Sequence, residues 1–216
     1  MVKSQSLLDL VRRRGSSALV TLLLLLAACD SRQRAIDGLR GVKLSPVRPK
    51  PEFTLDDTQG RPFHFAADTH GTATLLYFGY ANCPDVCPTH LSNIAAALKK
   101  LPPDEQARVR VVFVTTDPAR DTAQALRAWL DNFDKRFIGL RGPLDSVNAI
   151  QARLGLPPAA METMDGHAAG PRNYGVGHAA QVLAFSPDDS LRAEYPNGFS
   201  AADWANDLPK LLKIDR

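Results

Sequence analysis

Hydrophobic and polar positions along the chain follow three rhythms. Ala18 to Ala28 carries no charge and contains Leu22 to Leu26 unbroken. Downstream, apolar residues alternate singly in some stretches and recur every third or fourth position in others, the signatures of strands and helices. Glu52 to Leu55 and Pro62 to Phe65 flank Asp56-Asp57-Thr58-Gln59-Gly60 and predict a hairpin. Ala73 to Tyr80 is apolar on both faces, as a covered central strand requires. Pro88 suits the first turn of a helix in which Leu91, Ile94, Ala95 and Leu98 share a face, running to Leu101 and stopped by Pro102-Pro103. Arg108 to Thr116 reads as the next strand. Asp121 is expected to cap a helix with a stripe of Ala125, Leu126, Trp129, Leu130 and Phe133. Phe137 to Leu140 predicts a short strand, and Leu144 to Leu154 a helix closed by Gly155. After a loop of some twenty residues, His178 to Phe185 and Leu191 to Tyr195 read as strands around a turn at Pro187-Asp188-Asp189. Ser200 opens a last helix, in which Pro209 is expected to introduce a kink.

A hairpin, then β-α-β-α, then a terminal hairpin and helix define an α/β fold: a mixed central sheet flanked by helices. Right-handed crossovers leave few topologies for it. The 216 residues, 44% hydrophobic and 23% charged, suit one domain with appendages and exclude disorder as the dominant state.

Charge alters the picture at the N-terminus. The formal excess of +3 resides entirely in residues 1–28, where Lys3, Arg12, Arg13 and Arg14 outweigh Asp9. Positive residues before a short apolar run, ending in small residues, form a signal peptide. The run is about half the roughly 20 residues that a spanning helix needs. Its ending, Leu26-Ala27-Ala28-Cys29, resembles the lipobox of bacterial lipoproteins, which implies lipidation of Cys29 and anchoring to the bacterial cell membrane with the domain in the periplasm. Asp30 is a weak pointer to inner-membrane retention, and sorting between membranes stays open. Residues 29–50 carry a net charge of +4 with Pro46 and Pro49, and are expected to form an extended basic tether. Such a tether suits either an anionic bilayer surface or plain solvation. Residues 51–216, the expected globular domain, carry −4, so no nucleic-acid partner is expected.

With Cys29 assigned to lipid, two cysteines remain, in Asn82-Cys83-Pro84-Asp85-Val86-Cys87-Pro88. They stand where the central strand meets the first helix, beyond the carboxyl end of a strand, where ligands of open α/β sheets gather. A helix N-terminus there favours the thiolate. The pair can converge on a soft ion or oxidise to a disulfide. Structural zinc sites and iron–sulfur clusters normally take four protein ligands, so two cysteines suit copper(I) best. A five-residue disulfide closes a very short loop and would stabilise little.

Three segments carry a wider resemblance: Tyr77-Phe78-Gly79-Tyr80 leading into the cysteine motif, Thr116-Asp117-Pro118-Ala119-Arg120-Asp121-Thr122, and Tyr174-Gly175-Val176-Gly177-His178. Over roughly residues 50 to 214 the chain resembles the Sco/SenC family. The resemblance implies a thioredoxin-like fold, membrane anchoring, and service as a copper metallochaperone in assembling the CuA centre of cytochrome c oxidase. It implies Cys83, Cys87 and His178 as ligands of Cu(I) or Cu(II), the CuA-bearing subunit as partner and a periplasmic copper donor. Catalysis in the usual sense is not required. The competing reading is a thiol-disulfide oxidoreductase that keeps the cysteines of the CuA subunit reduced, using Cys83 and Cys87 as a redox disulfide. Against it stand three intervening residues where thioredoxins have two, and the lack of a proline immediately before His178. His90 is the rival third ligand. Asp117 is either a site residue or a turn residue before Pro118, and Arg120 and Asp121 are read as capping or ion-pair residues. Met161, Met164 and His167 are either a transient soft-metal station or ordinary residues of a surface loop.

Overall fold

The computed structural model describes residues 36–162 and 174–214. Cys29, Met164 and His167 lie outside the described residues. The strands are β1 (Val42–Pro49), β2 (Thr54–Asp57), β3 (Pro62–His64), β4 (Ala73–Gly79), β5 (Val109–Thr115), β6 (Ile138–Arg141), β7 (Ala160–Glu162), β8 (Gly175–Gly177), β9 (Val182–Phe185) and β10 (Ser190–Tyr195). The helices are α1 (Phe65–Asp68), α2 (Val86–Leu98), α3 (Pro103–Ala107), α4 (Ala123–Leu130), α5 (Leu144–Arg153) and α6 (Ala201–Leu211).

Among the described residues one eight-stranded sheet runs in the order β1-β10-β9-β4-β5-β6-β2-β3, and β7 pairs with β8 beside it. The pairs β4–β5 and β5–β6 are parallel, and the others in the large sheet antiparallel. This is the mixed, helix-flanked α/β sheet expected. Every residue of β4 is buried, because helices cover both faces. Leu75 and Tyr77 point to the face packed by Leu91, Ile94, Leu126, Trp204 and Leu208. Leu76 and Phe78 point to the other, packed by Phe65, Val147 and Ile150. Each such Leu or Phe contributes on the order of 1.5–3 kcal/mol by leaving water.

Five expectations change. The tether does not run free to residue 50: β1 is an edge strand, with Val42 opposite Glu194 and Pro49 opposite Ser190. Its ladder is irregular between Lys43 and Arg48, which takes Pro46 out of the pairing. The prolines that suggested extended tether are the ones an edge strand tolerates. The basic residues there are engaged by the domain: Arg40 with Asp203 at 2.6 Å, Arg48 with the Leu154 carbonyl at 2.9 Å, and Lys50 with Asp189 at 2.8 Å.

Thr122, not Asp121, caps α4, its hydroxyl accepting from the Ala125 N–H at 3.1 Å. Ala125 is exposed, so the buried stripe narrows to Leu126 and Leu130 with Trp129 and Phe133 beside them. His178 precedes β9 and does not start it, since pairing begins only at Val182. The long loop contains β7 and, just before His178, β8, two three-residue strands too short to leave a periodic pattern.

Candidate metal centre

β4 delivers the chain to the sheet edge at Gly79, and the turn Tyr80 to Asp85 carries Cys83 before α2 begins with Cys87 in its first turn. The helix start sits directly over the strand end. A Cβ on Gly79 would stand 2.6 Å from Cys87 Sγ and 3.1 Å from Phe113, so only glycine admits the sulfur here. β9 runs antiparallel to β4, with Leu76 opposite Leu183, so the segment entering β9 arrives at the edge that β4 leaves. That segment carries His178.

The structure brings together the three residues that the family resemblance implied. Cys83 Sγ, Cys87 Sγ and a ring nitrogen of His178 all lie within 4.8 Å of one another. His178 Nε2 is 3.5 Å from Cys87 Sγ, and the Cys87 N–H donates to Cys83 Sγ at 3.4 Å. His178 Nδ1 is 3.0 Å from the carbonyl oxygen of Ala179, a contact that orients the ring with Nε2 toward the sulfurs. The Tyr77 hydroxyl donates to Cys87 Sγ at 3.4 Å, and the rings of Tyr77 and Tyr80 meet His178 edge-on at 6.1 Å and 5.6 Å.

Both cysteines are free thiols with different electrostatics. Hydrogen bonding from the Cys87 thiol, with further bonds from His178 and the Cys87 N–H, holds Cys83 down to about 3, against the cost of its burial. Burial pushes Cys87 up, and the anionic sulfur of Cys83 beside it pushes the same way. In the reduced protein Cys83 is therefore the thiolate and Cys87 the thiol. Two sulfurs and one imidazole make a soft donor set that suits copper. Among the described residues no fourth His, Cys, Asp or Glu joins the group.

His90 is not in the cluster. Its ring packs edge-on against Tyr77 at 5.2 Å, 1% exposed, with Nε2 buried and without a hydrogen-bond partner. Burial lowers its pKa, so it is neutral. Asp117, 4% exposed, is not in the cluster; it accepts from the Tyr174 hydroxyl at 2.8 Å and pairs with Arg120. Asp121 accepts from the Thr115 hydroxyl at 2.6 Å and from the Ala81 N–H at 3.0 Å, tying down the turn two residues before Cys83. Met161, on β7, is 69% exposed and is not a core methionine. Sequence reasoning missed the roles of Tyr77, Tyr80 and Tyr174. The motif placed them near the site, but nothing in spacing shows an aromatic ring turned toward a ligand.

The fold and site define a thioredoxin-like domain with a Cys2His cluster that could hold a metal ion at the carboxyl edge of its sheet. The SCO1/SenC family model matches residues 43–213, and the chain belongs to that family. It is 30% identical over 202 residues to a protein of Stutzerimonas stutzeri named "Putative copper-binding protein", covering 91% of this chain and 96% of that one. It resembles the solution structure of apo Sco1 from Thermus thermophilus with 31% identity and a TM-score of 0.70, over 81% of this chain and 97% of that one. It also resembles the structure of Bradyrhizobium japonicum ScoI with copper bound, with 25% identity and a TM-score of 0.64, over 76% of this chain and all (100%) of that one.

Proposed function

We propose that this protein is a membrane-anchored copper metallochaperone that delivers copper to the CuA site of cytochrome c oxidase during its assembly. The observation that carries the reading is the convergence of Cys83, Cys87 and His178 within 4.8 Å, without a fourth ligand among the described residues. An incomplete coordination shell leaves a position open to an incoming ligand, which metal transfer requires. Cys83, 8% exposed and already a thiolate, is the first sulfur an arriving ion meets. Binding then drives the proton from Cys87, since a coordinating thiol is deprotonated. Departure runs in reverse, each ligand of the acceptor replacing one of these three.

The chain path supports delivery at a membrane. Three antiparallel pairings, β4–β9, β9–β10 and β10–β1, put the start of β1 at the sheet edge where β4 ends. Val42, at that start, lines a shallow groove together with Ala180 and Gln181, just after His178. Six residues lie between Cys29 and Ile36, a reach of at most about 25 Å when extended. A lipid on Cys29 would hold the metal centre's own edge close to the bilayer surface. Among the described residues no helix is long and apolar enough to cross a membrane.

One observation favours a second reading, thiol-disulfide exchange on the cysteines of the CuA subunit. The pair of an exposed-side thiolate and a buried thiol matches an attacking and a resolving sulfur. The experiment is to load the reduced protein anaerobically with one equivalent of Cu(I) and mix it with an apo CuA domain, following copper by separation and CuA absorption. Transfer by the native protein, absent in Cys83→Ser/Cys87→Ser, is expected. Failure to bind or pass on copper, with reduction of the oxidised CuA domain at a thioredoxin-like rate, would replace the first reading by the second.

A further inference from the structure

The two halves of the metal centre are held by different devices. The cysteines belong to the β4–α2 connection, which Asp121 fastens through the Ala81 N–H. His178 belongs to a separate arm, Tyr174 through β8, whose base meets the loop after β5. There Arg120 Nε pairs with Asp117 Oδ2, Tyr174 Oη donates to Asp117 Oδ1 at 2.8 Å, and Arg120 Nη1 donates to the Tyr174 carbonyl at 3.0 Å. The guanidinium lies 3.7 Å from the centroid of the Tyr174 ring and 5.7 Å from that of Tyr80. Tyr80 in turn meets the imidazole of His178 edge-on at 5.6 Å. Asp117 and Tyr174 are 4% and 7% exposed, so the clasp is shielded from solvent and only weakly screened.

We infer that Arg120 is a positioning residue for His178: held by Asp117, it fixes the imidazole arm of the metal centre through Tyr174 and Tyr80 without touching a ligand. Lysine replaces it only in part, because the full role uses a planar group that stacks on a ring while its fork reaches a carboxylate and a carbonyl. The inference rests on the copper reading for its sharpest consequence. Cu(I) is satisfied by two thiolates, whereas Cu(II) draws on the nitrogen ligand. Loosening the arm therefore weakens Cu(II) binding far more than Cu(I) binding.

The test compares the native protein with Arg120→Met, Arg120→Lys and Tyr174→Phe, and with Arg192→Lys, which alters a buried ion pair to Asp188 in the β9–β10 turn. Cu(I) and Cu(II) affinities are measured by competition, with the thiolate-to-Cu(II) absorption band. Ring-to-ring nuclear Overhauser contacts between Tyr80 and His178 are measured in the metal-free reduced form. Arg120→Met is expected to lose about 10–100-fold in Cu(II) affinity, the usual effect of removing a residue behind a ligand, and less than about threefold for Cu(I). It should lose the Tyr80–His178 contacts as well. Arg120→Lys and Tyr174→Phe should shift the same way by less, and they carry the test if Arg120→Met does not fold. Arg192→Lys should leave the ratio of the two affinities unchanged. An unaltered ratio with intact ring contacts in the Arg120 variants, or an equal change in Arg192→Lys, would overturn the inference. If the native protein binds no copper, the copper reading falls and the ring contacts alone decide the role of Arg120.

Discussion

Two sulfurs four positions apart in the chain hold different protons, and burial alone does not account for it. Cys87 is 0% exposed and Cys83 8%, yet one is pushed far up and the other down. The difference is donors: Cys83 receives hydrogen bonds from the Cys87 thiol, from His178 and from backbone N–H groups, whereas the charge beside Cys87 is negative. With the folded value of Cys83 near 3 and the unfolded value near 9, its thiolate stabilises the reduced protein fully above about pH 9. That stabilisation is lost as pH falls through the folded value. Above about pH 9 the retained proton on Cys87 reverses the slope, because the unfolded chain then gives up a proton that the folded one keeps. Chemically, iodoacetamide should label Cys83 at a rate nearly flat between about pH 5 and pH 8, with Cys87 unlabelled in the native state. A rate that falls about tenfold for each unit of pH below 8 would show an ordinary thiol and contradict the asymmetry.

At the scale of elements, the segment before β2 is where the sequence misleads and the packing is most instructive. Asp207 on α6, 0% exposed, accepts from the N–H groups of Arg40 and Gly41 at 2.8 Å and 3.1 Å and from the Tyr195 hydroxyl at 2.9 Å. It thereby fixes the chain before β1 onto the last helix. Asp207→Ala would strand these donors, and urea unfolding is expected to show a loss of about 2–4 kcal/mol, since each buried unsatisfied donor costs about 1–3. A loss under about 0.5 kcal/mol would mean that the segment contributes nothing to the fold. No local pattern announces this arrangement, because the capture runs between residues more than 160 positions apart. The central elements were legible for the opposite reason. β4, β5, α2 and α5 carry their own periodicity and their own stops, at Pro102-Pro103 and Gly155, and each was placed within two or three residues of its observed bounds. Cys83 and Cys87 were legible as a pair because they share one turn. His178 was not recoverable from spacing, only from likeness to a family, since it lies 91 positions beyond Cys87 and the sheet alone closes that gap.

For the whole molecule, the charge balance takes a new meaning. The +4 segment ahead of the −4 domain looked like a separate basic leash, but Arg40, Arg48 and Lys50 are ion-paired to acidic residues of the domain, so much of that charge is internal. Only six residues lie between Cys29 and Ile36, and β1 starts at the sheet edge that carries the Cys83, Cys87 and His178 cluster. With the proposed lipid on Cys29, such a domain would present these side chains close to the membrane surface, an arrangement suited to an acceptor in the same membrane. All of it depends on the three side chains acting as one copper site, and X-ray absorption at the copper edge of the loaded protein tests that most directly. One copper per chain with two sulfur ligands and one imidazole nitrogen is expected, with the nitrogen lost in His178→Ala and retained in His90→Ala. Copper without sulfur neighbours, or a nitrogen that survives His178→Ala and disappears in His90→Ala, would contradict the account.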